Sequence, residues 1–178
     1  MAINPNKYIV RQPIKNLKGK TLGYEIRYAG EDSAYEGAEG GGQDFAVADT
    51  IYNFLTQNTD RTLKGSLSFM TFTTNLLMKQ TPKLFRPEDL VIQVDDSVIV
   101  HPLAMRFVER YSKEGYKVAV NEFQFSPRYV SLLDRFDFIK VNFQACNDIS
   151  IRNIVEMARN MGKKCIATHI DNEDLYQK

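Results

Sequence analysis

From Leu67 onward, short apolar runs alternate with segments that carry apolar residues at helical spacing. The runs are rich in β-forming residues and lie at positions 67–74, 90–95, 117–121, 137–142 and 163–168. Between them, stripes such as Leu103, Phe107, Val108 and Tyr111 indicate amphipathic helices. Strands that alternate with helices are typical of βαβ units, which form parallel sheets. The alternation therefore predicts an α/β fold built on one parallel sheet or barrel.

Two further apolar runs precede this alternating region, at positions 8–14 and 23–28. Only a short turn-rich link, 16–20, separates them, and it contains Gly19 where a positive φ would be useful. A parallel neighbour would need a crossover of a dozen or more residues. We therefore expect an antiparallel hairpin at the start of the sheet.

The segment 30–43 contains five of the ten glycines of the chain and several acidic residues, which predicts a flexible loop. Its Gly40–Gly42 run lacks the Gly-Lys-Ser/Thr ending of a phosphate-binding loop. Asp44 is then expected to cap a helix over 45–55. No polar linker divides the chain, so 1–178 is interpreted as a single domain.

Charge and composition limit the partners and the cellular location that we expect for the chain. The net charge of +1 argues against broad electrostatic capture of polymeric nucleic acid or of an anionic membrane. No apolar run approaches the roughly 20 residues that span a bilayer. The N-terminus lacks the apolar core of a signal peptide. Cys146 and Cys165 lie in apolar segments and are expected to be free, buried thiols. We expect a cytoplasmic protein.

Polar residues cluster where the predicted strands end, the edge at which folds of this class build their sites. They are Glu25, Asn75, Gln93, Asp95, Asp96, Asn121, Glu122, Lys140, Asn142, Thr168 and Asp171. Carboxylate and amide oxygens suit hard cations such as Mg²⁺, Ca²⁺ or Mn²⁺. Two such metals can activate water for phosphodiester cleavage.

A series of motifs runs in order through nearly the whole chain: Arg11-Gln12-Pro13-Ile14, Gly23-Tyr24-Glu25-Ile26, Phe69 to Asn75, Leu90 to Ser97, Gly115 to Phe123, Asp137-Phe138-Ile139-Lys140 and Ile166 to Glu173. Together they resemble the EAL family of bacterial cyclic di-GMP phosphodiesterases. The similarity is greatest to EAL domains that precede an HDOD domain. This resemblance implies an EAL-type modified TIM barrel whose first strand is antiparallel. Seven of its eight strands are found here, so the barrel is expected to be truncated before the eighth.

The resemblance also implies which site positions are kept. Glu25 takes the place of the glutamate that gives the family its name, and Asn75 keeps a second metal-ligand position. Lys140 keeps the lysine that helps to orient the attacking water. Other family positions are altered. The acids that the family has in the fourth, fifth and sixth strands are replaced by Gln93, by Asn121-Glu122 and by Asn142. The seventh-strand motif becomes Thr168-His169-Ile170-Asp171, and the Leu and Arg that follow the family glutamate become Arg27 and Ala29.

Replacing a ligand carboxylate by an amide removes charge that holds a divalent cation. The altered motifs therefore predict a degenerate, noncatalytic signalling module in which Lys140 and Glu122 are vestiges of the catalytic site. Candidate metal ligands that remain are Glu25, Asn75, Glu122 and Asp171, and candidate ligand-binding residues are Gln12, Arg27 and Gln93. No cofactor is expected to be required, although Mg²⁺ or Mn²⁺ could bind if the site still functions.

Three functions stay open at this point. The first is protein binding, and a barrel without its eighth strand has unpaired edges that a partner or a second copy would cover. The second is a weak or altered metal-dependent cyclic di-GMP phosphodiesterase. The third is a receptor that binds cyclic di-GMP without cleaving it.

Overall fold

The computed structural model describes residues 8–29, 48, 51–52 and 66–177. The chain divides into two compact units, 1–92 and 93–178, and strand β4 passes from one to the other. The predicted flexible loop 30–43 and the capping residue Asp44 lie outside the described residues. Residues 48, 51 and 52 are helical, as the stripe over 45–55 predicts. The single-domain interpretation stays a prediction.

The first unit begins with the predicted hairpin. Strands β1 (Tyr8–Lys15) and β2 (Thr21–Ala29) pair antiparallel, with Gln12 opposite Glu25. Asn16 Oδ1 accepts hydrogen bonds from the backbone N–H groups of Lys18 and Lys20, at 2.9 and 3.0 Å. Gly19 has a φ of 74°, a region that glycine enters without the steric penalty of a Cβ. The hydrogen bonds to Asn16 and the positive φ of Gly19 thus form the turn that makes the first two strands antiparallel.

Strand β3 (Leu67–Thr71) runs parallel to β2, and β4 (Leu90–Val94) follows β3 in the sheet order. Gly23 permits the close approach of β2 to β3, because a Cβ there would lie 2.4 Å from the Leu67 carbonyl oxygen. Helix α1 (Thr74–Met78) and a 3₁₀ turn (Thr81–Leu84) connect β3 to β4. All five side chains of β4 are buried, as a strand covered on both faces requires.

In the second unit, β4 is followed in sheet order by β5 (Lys117–Val120), β6 (Phe138–Asn142) and β7 (Lys164–Thr168). The pairs β5–β6 and β6–β7 are parallel, as predicted. The intervening helices are α2 (Asp96–Ile99), α3 (Pro102–Lys113), α4 (Pro127–Val130), a 3₁₀ turn (Leu133–Arg135), α5 (Asp148–Asn160) and α6 (Glu173–Gln177).

Helix boundaries follow the signals in the sequence. Pro102 opens α3, and His101 caps it by accepting a hydrogen bond from the Ala104 N–H at 3.3 Å. Gly115 and Gly162 follow the ends of α3 and α5 with positive φ values of 96° and 67°. Tyr111 on α3 is fully buried, and burial raises its pKa to about 12. Helix α3 thus presents one apolar face to the core of the unit.

The prediction of two buried thiols is wrong. Both cysteines are free, but Cys146 is only half-buried and Cys165 is exposed. Cys165 lies on β7, which has β6 as its one neighbour among the described strands. The side chains of β7 are exposed or half-buried, whereas four of the five on β6 are buried. Among the described residues, no helix is long and apolar enough to cross a membrane.

Candidate functional site

Glu25 forms the centre of a polar cluster in the first unit. Its side chain on β2 is buried, at 8% exposure, and Arg27 Nη2 lies 3.1 Å from Glu25 Oε2. The same nitrogen donates to Gln12 Oε1, also at 3.1 Å. Residues two apart on a strand share a face, and Gln12 lies directly opposite Glu25 across the hairpin. The strand pairing therefore brings together three of the residues predicted for the site.

Asn75, the other metal ligand that the sequence predicts in this unit, lies in the first turn of α1 and is exposed. The helix begins here because Thr73 serves as its N-cap and accepts a hydrogen bond from the Leu76 N–H at 3.4 Å. The backbone carbonyl of Asn75 accepts from the Lys79 N–H at 2.9 Å. Its position at the carboxyl end of β3 agrees with the sequence prediction.

The second unit contains a buried pair formed by Lys140 on β6 and Gln93 on β4. Lys140 Nζ donates to Gln93 Oε1 at 2.8 Å, and the two residues are only 4% and 1% exposed. An ammonium group has donors and no acceptor, so it cannot serve as a ligand to a cation. The amide oxygen of Gln93 uses one of its two lone pairs to accept this bond. Two predicted site residues thus meet in the core and hydrogen-bond to each other.

Asn121 and Glu122 follow β5 at a turn that the backbone holds from both sides. The Asn121 N–H donates to the Val94 carbonyl at 2.8 Å, and the Phe123 N–H donates to the Lys140 carbonyl at 2.9 Å. Between them, exposed Glu122 has a φ of 46°. Such a conformation is uncommon for a residue with a side chain, and it occurs often at functional sites. The carboxylate is therefore accessible and held on a well-defined turn.

The acids and amides after β4, β6 and β7 stabilise local structure. Asn142 Oδ1 accepts from the N–H groups of Gln144 and Ala145, both at 3.0 Å. Asp171 accepts a hydrogen bond from the side-chain amide of Gln144. The sequence offered no signal for this partner, because Gln144 lies 27 positions away in an otherwise ordinary turn. Asp171 is thus exposed but already hydrogen-bonded.

Asp95 and Asp96 also have structural partners. Asp95 caps α2 by accepting from the Ser97 N–H at 3.1 Å and from its hydroxyl at 2.6 Å. Asp96 accepts from the Tyr129 hydroxyl at 2.9 Å, which ties α2 to α4. Tyr129 itself is buried and packs edge-to-face against Phe123, with ring centroids 5.3 Å apart. This tie was not foreseen, because 33 residues separate its two ends.

The described side chains do not fit a dinuclear metal centre. Over the described ranges, no group of three or more histidines, cysteines, aspartates or glutamates could hold a metal ion. Glu25 is bonded to a guanidinium, Gln93 to an ammonium and Asp171 to an amide. Two divalent ions would bring four positive charges, and carboxylates are the ligands that offset such charge.

No family model matches the chain. Among curated proteins, it is 26% identical over 178 residues to the uncharacterized protein YuxH of Bacillus subtilis, covering 96% of this chain and 43% of YuxH. It is 26% identical over 180 residues to the cyclic di-GMP phosphodiesterase CdgJ of Vibrio cholerae, covering 96% of this chain and 40% of CdgJ. The chain thus spans less than half the length of these relatives.

Solved structures define the fold. The Bacillus subtilis YkuI protein, which has an EAL domain and was solved with cyclic di-GMP and calcium, matches 97% of this chain and 50% of its own length. The TM-score is 0.69 and the sequence identity is 17%. The chain therefore has the fold of EAL domains. This confirms the predicted fold class, including its antiparallel first strand.

Proposed function

We propose that this chain is a noncatalytic EAL-like regulatory module that acts by binding a protein partner, with cyclic di-GMP as a further possible ligand. Its relationship to cyclic di-GMP phosphodiesterases rests on the resemblance to CdgJ and on the shared fold. The noncatalytic assignment rests on the chemistry of the side chains at the strand ends. The cytoplasm and a bacterial signalling role fit this proposal.

The Lys140–Gln93 pair is the observation that carries the proposal. The resemblance implies that the family has a metal-binding glutamate in the fourth strand, at the position of Gln93. Here the oxygen is neutral and lies 2.8 Å from a buried ammonium. A neutral amide supplies no negative charge to offset that of a divalent ion, whereas a glutamate would. A divalent ion is therefore disfavoured at the position where the family needs one.

Strand β7 supports the protein-binding part of the proposal. It has one described strand neighbour, and its side chains are largely exposed. An exposed strand edge offers unpaired backbone groups to another chain. Its residues Cys165, Ile166 and Ala167 are uncharged, so a partner strand could cover them without burying a charge. A further strand, from this protein or from a partner, would serve this role.

A metal-dependent cyclic di-GMP phosphodiesterase is the second candidate, and the resemblance to CdgJ along 96% of the chain favours it. Such an enzyme would use Glu25, Asn75, Glu122 and Asp171 to hold Mg²⁺ or Mn²⁺, with Lys140 beside the attacking water. In such an enzyme Glu25 would bind metal beside the guanidinium of Arg27, and Asp171 would do so beside the side-chain amide of Gln144.

A thermal-shift titration with cyclic di-GMP, with and without Mg²⁺ or Mn²⁺, separates these functions. A ligand at about 100 times its Kd stabilises the folded state by about 2.7 kcal/mol, which gives a clear rise in Tm. No shift and no hydrolysis support the protein-binding module. A shift without hydrolysis supports binding of cyclic di-GMP by a noncatalytic domain.

Hydrolysis is measured in parallel with Glu25→Ala as the control. Turnover by the unmodified chain in Mn²⁺, clearly above that of Glu25→Ala, would overturn the noncatalytic proposal. Since the curated relatives are more than twice as long as this chain, both assays are repeated on the longest soluble protein that contains it.

A further inference from the structure

The β1–β2 hairpin carries a charge that differs in sign from that of the rest of the chain. Five of the 23 basic residues and one of the 22 acidic residues lie within 8–29. The hairpin therefore has a net charge of +4 and the remaining residues have a net charge of −3, which the whole-chain value of +1 conceals. A local contact with an anionic surface depends on the charge of the hairpin and not on that of the whole chain.

Three of these charges lie at the turn of the hairpin. Lys15, Lys18 and Lys20 are exposed, and none of their ammonium groups forms an ion pair with another residue of the described ranges. Arg86 of the same unit, by contrast, forms ion pairs with two neighbouring carboxylates, at 3.3 and 2.7 Å. The positive charge at the turn is therefore available to an anionic partner.

An apolar side chain, that of Leu17, lies among these lysines and is fully exposed. The Gly19 N–H donates to the Asn16 carbonyl at 2.8 Å, which closes a four-residue turn with Leu17 as its second residue. The Asn16 N–H donates to the Lys20 carbonyl at 2.9 Å and holds the two arms of the turn together. The turn thus holds a leucine in water, where its exposure costs free energy that burial in an apolar medium would recover.

The size and shape of the turn favour a lipid surface over a protein. A stable protein interface buries about 800 Å² on each partner and uses about 20–30 residues a side. A five-residue turn offers far less area, but it is convex and places one apolar side chain between basic ones. Apolar side chains enter the boundary between headgroups and acyl chains while basic side chains contact anionic headgroups.

We propose that the tip of the hairpin, 15–20, docks on an anionic lipid surface. Leu17 enters the boundary between headgroups and acyl chains, and Lys15, Lys18 and Lys20 contact the headgroup phosphates. Because one leucine and three lysines form the contact, binding is weak and reversible. This inference goes beyond the proposed function, because it concerns the surface on which the chain is held and neither turnover nor binding of a protein partner.

The chain contains no tryptophan, so Leu17→Trp introduces a single fluorophore at the tip. The full chain with this substitution is mixed with phosphatidylcholine vesicles, with and without phosphatidylglycerol. We expect its emission to shift to shorter wavelength with the anionic vesicles and to stay unchanged with phosphatidylcholine alone. Leu84→Trp is the matched control, because Leu84 is 61% exposed and lies between Lys83 and the ion-paired Arg86 in the same unit. Its emission should not shift with either vesicle.

Vesicle sedimentation measures the contribution of each side chain. Leu17→Ser should bind the anionic vesicles at least about tenfold more weakly, because its side chain has no apolar surface to bury. Lys18→Gln and Lys20→Gln should each weaken binding about fivefold. Lys117→Gln, which removes an exposed lysine of the second unit, should leave it unchanged. All of these side chains are exposed, so circular dichroism and Tm should show folding like that of the unmodified chain.

Four results would overturn the inference. The unmodified chain fails to sediment with anionic vesicles, Leu17→Ser binds them as well as the unmodified chain does, or Leu84→Trp shifts as much as Leu17→Trp. The fourth is an unmodified chain that ignores the vesicles and binds polyglutamate through Lys18 and Lys20, which would assign the tip to an acidic protein. Cyclic di-GMP binding and hydrolysis are assayed without vesicles, so the proposed function is tested by different data.

Discussion

Glu25 in the first unit and Gln93 in the second each have a cationic side chain as partner, but in different surroundings. Glu25 keeps its carboxylate and is covered by the half-exposed guanidinium of Arg27. Gln93 has an amide instead of the acid that the resemblance predicts, and it accepts a bond from the buried ammonium of Lys140. One pair is an ion pair near solvent, and the other is a charged hydrogen bond inside the core.

This difference determines what each pair contributes. An ion pair that water can reach contributes little stability, because solvent weakens the attraction. A buried ammonium depends on every acceptor around it, since an unsatisfied charge in the core is expensive. We therefore expect the Lys140–Gln93 pair to be structural and hard to change. We expect the Glu25–Arg27 pair to be changeable, with its main consequence for ligand binding.

The largest effect should follow from breaking the buried pair. Gln93→Leu removes the amide acceptor of Lys140 and should lower the free energy of unfolding by about 3 kcal/mol. Lys140→Met leaves a neutral amide oxygen short of its donor, which should cost about 2 kcal/mol. The double variant should be more stable than the sum of the two losses implies, by about 1–2 kcal/mol. Urea denaturation of the four proteins measures this coupling.

The expectation that the buried pair matters more for stability would be wrong if Gln93→Leu lowered the free energy of unfolding by less than about 1 kcal/mol. That is the typical effect of any single substitution. It would also fail if the two losses simply added. Either result would mean that other groups satisfy the Lys140 ammonium without help from Gln93.

Restoring the acid at Gln93 should have a smaller effect. Gln93→Glu keeps the acceptor oxygen and the side-chain shape, and it pairs the new carboxylate with Lys140. We expect stability to change by no more than about 1 kcal/mol in either direction, since burial of the new charge opposes its attraction to the ammonium. Mn²⁺ affinity should not rise, because the ammonium already neutralises the carboxylate. A tenfold gain in Mn²⁺ affinity would show that Lys140 does not block metal at this position.

The sequence was a good guide to the strands and their order. Every predicted run became a strand, because alternation with helices and β-forming residues is a local signal. The hairpin followed from the short link at Asn16, whose side chain closes the turn. Helix ends at Pro102, Gly115 and Gly162 followed from the fixed φ of proline and the positive φ that glycine tolerates.

Side-chain partners were much harder to predict, because two residues far apart in the sequence leave no local pattern that pairs them. Lys140 and Gln93 are 47 positions apart, and Asp171 and Gln144 are 27 apart. Arg27 is easier to place, because residues two apart on a strand share a face and it lies two residues from Glu25. The error at Cys165 has a similar origin: an apolar run predicts a strand, but its burial depends on what covers the strand.

The smallest effect, and the most direct comparison, comes from salt. A double-mutant cycle of Glu25→Gln and Arg27→Met should give a coupling free energy of unfolding of about 0.5–1 kcal/mol at 0.1 M NaCl. At 1 M NaCl the screening length falls from about 10 to about 3 Å, so this coupling should drop by half or more. The coupling between Gln93 and Lys140 should stay within about 0.3 kcal/mol of its low-salt value, because ions do not reach a buried pair. If both couplings fell together, solvent would reach Lys140 as readily as Arg27, and the two pairs would differ in chemistry but not in environment.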